Sequence, residues 1–338
     1  MQGNKIILSK SEKNKYSNFA VLNPSVIIEN KQLYFYYRSV NIEKISSISL
    51  CLLENDEIVS CRPHPVILPE YEYECKGVED PRIVKINSTF YLIYTAYDGV
   101  TARIAVAISQ NGIDFTKKGI ISPQLTYRKV LNLISENNNL QLKDKYIMYG
   151  EEYIQNAGEN MILWDKDGIL FPQKINGKFA LLHRIYPSIQ LIEFDSFEEL
   201  QQADFWEEKI KNIHNDIVLN PKYWFENNYI GGGCPPIEIP EGWLFVYHTV
   251  ELTNSGKIYH ASVALLDKNN PRIELSRMKE PLFSPSSSWE KAGWIDNVVF
   301  PSGAYLNGDK LHIYYGAADK YAAVKIFDME TIKKKLNV

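Results

Sequence analysis

Asp80-Pro81, a turn at Asn87, then Phe90-Tyr91-Leu92-Ile93-Tyr94 is the stretch on which the fold is decided. A proline, a turn holding Gly or Asn, and a run of aromatic and aliphatic residues describe a strand reached after a tight reversal. The same order recurs along the chain. Asn23-Pro24 leads to Leu33-Tyr34-Phe35-Tyr36-Tyr37-Arg38, and Phe171-Pro172 leads to Phe179-Ala180-Leu181-Leu182-His183-Arg184. Pro235-Pro236 leads to Trp243-Leu244-Phe245-Val246-Tyr247-His248, and Phe300-Pro301 to Leu311-His312-Ile313-Tyr314-Tyr315. From the proline to the end of each aromatic run the spacing is 13 (24 to 37), 13 (81 to 94), 11 (172 to 183), 11 (236 to 247) and 13 (301 to 314). Second strands follow several copies, at 103–108, 260–265 and 322–326. Short strands repeated with a nearly fixed internal spacing mark a radial array of sheets, and five copies predict an all-β, five-bladed β-propeller.

Two stretches break the period. Residues 124–165 make a long connection between the second and third copies, with a partly helical run at 127–142. Residues 196–213 read as an amphipathic helix, with Phe197, Leu200, Phe205, Ile210 and Ile213 apolar and acids near its start. Both are expected to decorate the propeller, as a lid or as a contact surface in a homo-oligomer. No linker or low-complexity stretch divides the chain, so residues 1–338 are expected to form a single catalytic domain.

The bulk properties narrow the function by exclusion. Hydrophobic residues at 45% and charged residues at 23% exclude a disordered chain. A net charge of −4 offers no basic surface to nucleic acid or to an anionic membrane. No apolar run approaches the ~20 residues needed to span a bilayer. The amino-terminal residues hold no signal-peptide core, so a cytoplasmic location is expected. Cys51, Cys61, Cys75 and Cys234 lack CxxC spacing and read as reduced thiols. The six histidines form no HExxH or similar frame, so no metal is expected. The 22 Tyr, 14 Phe and 6 Trp supply flat walls that suit sugar rings.

In such an array the polar residues at the ends of the repeated strands converge on a central channel. They are Asn23, Arg38, Asp80, Arg82, Lys166, Arg184, His248 and Asp296. Asp80 stands out because Glu79-Asp80-Pro81 sets two acids before a proline, which predicts an extended conformation at Asp80. On these local grounds a turn or strand-entry aspartate is a better description than a catalytic one, and Glu79 is an equal candidate for the acid. Arg38 and Arg184 are open to a structural ion-pair role, and His183 and His248 to simple burial. Gly231-Gly232-Gly233 lacks the GxxxxGK[ST] frame of a phosphate loop, so a close backbone approach explains it better.

Four blocks resemble one family. Gly77-Val78-Glu79-Asp80-Pro81-Arg82-Ile83 with Tyr91 through Gly99 is similar to the signature of glycoside hydrolase family 130. So are Leu170-Phe171-Pro172 running into His183-Arg184, and the glycine run with Gly242-Trp243-Leu244 and Tyr247-His248. The fourth block runs from Asn297-Val298-Val299-Phe300-Pro301 to Tyr314-Tyr315-Gly316-Ala317-Ala318-Asp319. The family comprises five-bladed propellers, mostly inverting phosphorylases of β-mannosides, with some hydrolases. The resemblance implies Asp80 as general acid, acting through a hydroxyl of the mannose. It also implies Asn23, Arg38 and Asp296 as holders of the mannose ring, and Lys166, Arg184 and His248 as binders of phosphate. A β-mannoside oligosaccharide and inorganic phosphate would be the co-substrates, without a further cofactor. Trp164-Asp165-Lys166-Asp167 and His183-Arg184-Ile185 resemble members that act on β-1,2 linkages.

The chain departs from the family at Tyr229, where many phosphorylases carry Lys or Arg, and at Asp167, where Asn is usual. These departures keep a water-using β-mannosidase in view, with Glu151, Glu152 or Asp167 as base, and beside it a sugar-binding propeller without turnover.

Overall fold

A computed structural model describes residues 3–338 and is built mostly of antiparallel strands. After β1 (Lys5–Leu8), a first meander holds β2 (Ala20–Glu29), β3 (Gln32–Val40), β4 (Ser46–Glu54) and β5 (Glu57–Cys61). A second holds β6 (Gly77–Ile86), β7 (Thr89–Tyr97), β8 (Ala102–Ser109) and β9 (Thr116–Ile120). One parallel bridge, Ser46 with Gly77, joins these two into a single sheet. Helices α1 (Tyr127–Ser135) and α2 (Lys143–Ala157) precede a third meander of β10 (Lys166–Leu170), β11 (Phe179–Arg184), β12 (Ile189–Phe194) and, after α3 (Ala203–Lys211), β13 (Ile217–Leu219). The fourth has β14 (Tyr229–Gly232), β15 (Ile237–Ile239), β16 (Gly242–Thr253), β17 (Gly256–Leu266) and β18 (Glu274–Arg277). After a short α4 (Ser288–Lys291) come β19 (Val299–Asn307), β20 (Lys310–Ala317) and β21 (Tyr321–Asp328), with β1 pairing onto β21, and finally α5 (Met329–Leu336).

The contacts between meanders form a closed series. Ser25 Oγ accepts from the Ile83 amide, linking the first meander to the second. A Cβ on Gly168 would lie 2.8 Å from Ile93 and 2.6 Å from Ile104, so the third presses its backbone against the second. Gly232 makes the same approach to Ile169, linking the fourth meander to the third. Val298 bridges to Tyr259 beside β19, and Ser302 Oγ donates to the Pro24 carbonyl, returning from the fifth to the first. The buried apolar clusters repeat the series: Phe35 and Tyr37 with Tyr314, Tyr36 with Leu92, Ile93 with Leu181, Ile169 with Phe245, and Val263 with Ile313.

Several expectations need correction. In the first, second and fifth copies the proline lies within the first strand of its meander, but Pro172 follows β10 in a turn. The local equivalent of Asn23-Pro24 and Asp80-Pro81 is therefore Asp167-Gly168, where glycine fits a packing site with no room for Cβ. The run at 127–142 is partly helical as expected, as α1 to Ser135, but the connection goes on into an unexpected α2, whose Tyr146 and Ile154 are buried. Residues 196–213 form an α-helix only over Ala203–Lys211, with a 3₁₀ turn on either side. Cys51 and Cys61, expected as free thiols, sit opposite each other on β4 and β5 and are joined in a disulfide. Among the described residues no helix is long and apolar enough to cross a membrane.

Candidate active site

The first strands of the meanders share an irregularity that aims side chains inward. Register shifts occur between Leu22 and Ser25, Glu79 and Arg82, Lys166 and Ile169, and Pro301 and Gly303. At three of them a polar residue has positive φ: Asn23 at 47°, Asp80 at 51° and Asp167 at 56°. An extra residue in one strand breaks the pairing and redirects its side chain. Asn and Asp tolerate the left-handed region better than most residues. The extended conformation expected for Asp80 is thus replaced by a bulge. Its effect is to turn Asp80 into the cavity and leave Glu79 behind it.

These bulges open on a cavity of about 370 Å³, a size in the range of small-molecule sites. Asn23, Arg38, Asp80, Lys166, Arg184 and His248 all line it. At one end Asp80 Oδ1 accepts from Asn23 Nδ2 at 2.7 Å and from Arg38 Nη1 at 3.3 Å. Glu79 instead holds the neighbouring cations, 2.6 Å from Arg38 Nη2 and 3.8 Å from Lys166 Nζ. Burial alone would raise the pKa of Asp80, but Arg38, Lys166 and Arg82, with the Asn23 hydrogen bond, lower it to about 2. Arg82 lies beneath, donating to the Gly233, Asp80 and Pro81 carbonyls, and so ties the second meander to the glycine run of the fourth.

The other end is built around Arg184. Its Nη1 lies 2.8 Å from Asp167 Oδ2 and 3.2 Å from His248 Nε2. Its plane faces the rings of Tyr186 at 4.3 Å and Tyr229 at 5.2 Å, an arrangement that favours a guanidinium over an ammonium. Because Arg184 can only donate, His248 Nε2 accepts and His248 Nδ1–H donates to the Gly232 carbonyl at 3.1 Å. Burial, with Arg184 adding to it against the pull of Asp167, lowers the His248 pKa to about 4, so the imidazole is neutral. The glycine run makes room for this corner. A Cβ on Gly231 would fall 2.3 Å from His248 Cε1 and 2.5 Å from Asp167 Oδ2. Lys257 stands over the Tyr229 ring at 5.5 Å and lines the cavity, with no carboxylate within salt-bridge reach among the described residues.

Asp296 is not brought to this place. It lies in an exposed turn, where its Oδ1 accepts from the Gly293 amide. Asp319, which follows β20, lines the cavity instead. Burial raises its pKa most, Arg38 opposes, and the nearby Asp80 charge adds, leaving it at about 6. The signal was present in the chain, because Arg38 and Arg184 also sit at the ends of second strands. Asp319 holds that position in the fifth meander. Glu151 pairs with Arg128, and neither it nor Glu152 lines the cavity. A larger groove of about 480 Å³ near Asn139, His214 and Arg277 collects none of the residues expected to converge, and its Arg277 is already paired with Glu226 and Glu274.

Residues 2–337 match the glycoside hydrolase 130 family, described as beta-1,4-mannooligosaccharide phosphorylase. A 1,2-beta-oligomannan phosphorylase of Thermoanaerobacter sp. (strain X514) is 30% identical, over 97% of this chain and 96% of its own. A beta-1,2-mannobiose phosphorylase of the same organism is also 30% identical, over 98% and 97%. The solved beta-1,2-mannobiose phosphorylase of Listeria innocua, in complex with beta-1,2-mannobiose, superposes with a TM-score of 0.69 at 21% identity, over 100% and 94% of the two chains.

Proposed function

The chain belongs to glycoside hydrolase family 130, and from that premise we propose that it is an inverting phosphorylase of β-mannosides, acting on β-1,2-linked manno-oligosaccharides. Phosphate would attack the anomeric carbon and release α-mannose 1-phosphate with a saccharide shortened by one unit. With hydrogen phosphate as nucleophile the protons balance, since the one phosphate loses matches the one the departing hydroxyl gains.

The observation that carries this reading is the polarity of the cavity. Asp80 and Asp319 line one end, where Arg38 and Lys166 offset their charge, and Arg184, the neutral His248 imidazole and Lys257 line the other around Asp167. A phosphorylase needs one protein acid, because phosphate brings its own nucleophilic oxygen. An inverting hydrolase needs a second carboxylate as free base, ~6.5–9.5 Å from the first. Asp167, a candidate for that base on the cavity wall, is held in an ion pair by Arg184. Lys257 offsets the missing cation at Tyr229 and, with Lys166, adds positive charge for a dianion.

In this reading Asn23, Arg38 and Asp319 hold the mannose ring and Asp80 delivers the proton through a mannose hydroxyl. Arg38, Lys166 and Arg82 keep Asp80 ionised, so the sugar must loosen its contact with Arg38 and exclude water before the proton is held. Asp319 as the proton donor is the second reading, favoured by its pKa of about 6. The scaffold would be a five-bladed propeller in one catalytic domain, supported by the closed series of contacts from the first meander through the fifth and back.

Incubating the protein with β-1,2-mannobiose, with and without phosphate, tests the function. Mannose 1-phosphate formed only with phosphate is the expected result. Free mannose released at the same rate in its absence identifies a hydrolase. Binding without turnover on any β-mannoside leaves a sugar-binding protein.

A further inference from the structure

The turn between α4 and β19, Gly293-Trp294-Ile295-Asp296, is tied down by its backbone yet leaves its large side chains partly in water. The amides of Trp294 and Ile295 both donate to the Ala318 carbonyl, at 2.9 and 3.3 Å. A Cβ on Gly293 would lie 2.1 Å from that same oxygen, so glycine lets the turn rest on the residue before Asp319. The Trp294 ring meets Phe19 edge-to-face at 5.0 Å, and Lys44 Nζ comes within 5.8 Å of both rings. Even so, Trp294 stays 38% exposed and Ile295 48%. Ile295 lines the cavity, and Trp294 is the next residue outward from it. Asp296 is exposed and accepts from the Gly293 amide through one oxygen, leaving the other without a donor among the described residues.

One face of a mannose ring presents C–H groups that pack on an indole, and its rim of hydroxyls pairs with carboxylates and ammonium groups. Resting on the phosphorylase reading above, we propose that this turn is an outer subsite for the departing saccharide. It holds the units beyond the one joined to the cleaved bond. Two features point to that occupant. Inverting attack comes from the face opposite the leaving group. With phosphate at the Arg184–Lys257 end, the saccharide departs towards the first and fifth meanders, where Phe19, Lys44 and Trp294 meet. The cavity of about 370 Å³ must also take a mannose unit and phosphate together, so a longer chain emerges over Ile295. A fixed platform there adds binding that a disaccharide is too short to use. The enzyme therefore favours β-1,2-mannotriose and longer chains over mannobiose.

The test measures kcat/KM for β-1,2-linked mannobiose, mannotriose and mannotetraose at saturating phosphate, in wild type, Trp294→Ala and Trp294→Phe. Wild type should use mannotetraose at least about fivefold more efficiently than mannobiose, in line with one aromatic contact. Trp294→Ala should bring that ratio close to one by slowing the longer sugars alone, and Trp294→Phe should keep part of it. Equal losses on all three sugars would mean that Trp294 only props Ala318 and Asp319, and the proposal fails. A preference that survives Trp294→Ala puts the longer chain elsewhere and overturns it too. Wild type treating the three sugars alike overturns it without any variant. Release of free mannose without phosphate would bring down the phosphorylase reading alone, because a mannotetraose preference lost in Trp294→Ala still upholds the subsite. Where no sugar is turned over, calorimetric affinities for mannobiose and mannotetraose give the same ratio and decide it in the same way.

Discussion

Asp80 and Asp319 face the same cavity and are driven in opposite directions by their surroundings. Asp80 is lowered from 3.8 to about 2 against the effect of burial by Arg38, Lys166, Arg82 and Asn23, whereas burial raises Asp319 to about 6. Stability should respond with opposite signs. Between its unfolded value of 3.8 and about 6, Asp319 binds a proton in the folded state and not in the unfolded one, so folding weakens as pH rises through that window. Asp319→Asn removes this loss. Its melting temperature relative to wild type should climb from pH 4 to 6 and then level off; a flat difference would contradict the assignment. Asp80 acts the other way, contributing stability above 3.8 that is lost as pH falls towards 2. Turnover separates the two acids further. Asp80→Asn should lower kcat at least about 100-fold with the fold intact. Asp319→Asn should mainly raise KM for the mannoside if it holds the ring. The reverse pattern would make Asp319 the proton donor.

At the scale of elements, the bulged first strands explain what could be read from the chain and what could not. The dipeptides Asn23-Pro24 and Asp80-Pro81 announce a disturbed strand, and aromatic runs announce the strands that follow, so the sheets and most of the cavity residues were legible. The third copy misled because its bulge is Asp167-Gly168, without a proline, while Phe171-Pro172 supplies a turn at almost the same spacing. Choosing Asp296 over Asp319 had a related cause. Both flank the fifth meander, and only the strand register shows that Asp319 follows β20, which pairs with β19. The positive φ of Asp80 was hidden because the residue before a proline normally extends. Glycine at 231 was the clearer signal, since any side chain there would strike His248 and Asp167. Gly231→Ala should therefore displace the imidazole and the carboxylate, costing on the order of 1–3 kcal/mol in stability. It should raise KM for phosphate more than KM for the mannoside. Equal effects on both would mean that the two ends of the cavity are not separate sites.

At the scale of the molecule, a circuit of sheets is held by its weakest junction, and the amino-terminal strand belongs to the last sheet. Lys5, Ile6 and Leu8 of β1 pair antiparallel with Ala322–Val324 of β21, and Ile7 and Leu8 pack beside the cluster that joins Tyr314 to Phe35 and Tyr37. Lys5 also reaches the first meander at Glu57. One short strand thus touches both sides of the junction between the fifth meander and the first. Removing it leaves β21 with an unpaired edge, which invites association with other chains. It also removes apolar cover from Val324 and Tyr314. Residues 3–9 line none of the cavity, and β1 pairs with Ala322–Val324, beyond the turn that holds Asp319. Deleting residues 2–9 should therefore lower the melting temperature by on the order of 5 °C and promote aggregation on heating. It should leave KM for phosphate and for the mannoside close to wild type at low temperature. Loss of substrate binding under those conditions would show that closure of the circuit positions Asn23 and Asp319 directly. An unchanged melting temperature would mean that Ser302 and Gly303, packed on Pro24, hold the junction without the strand.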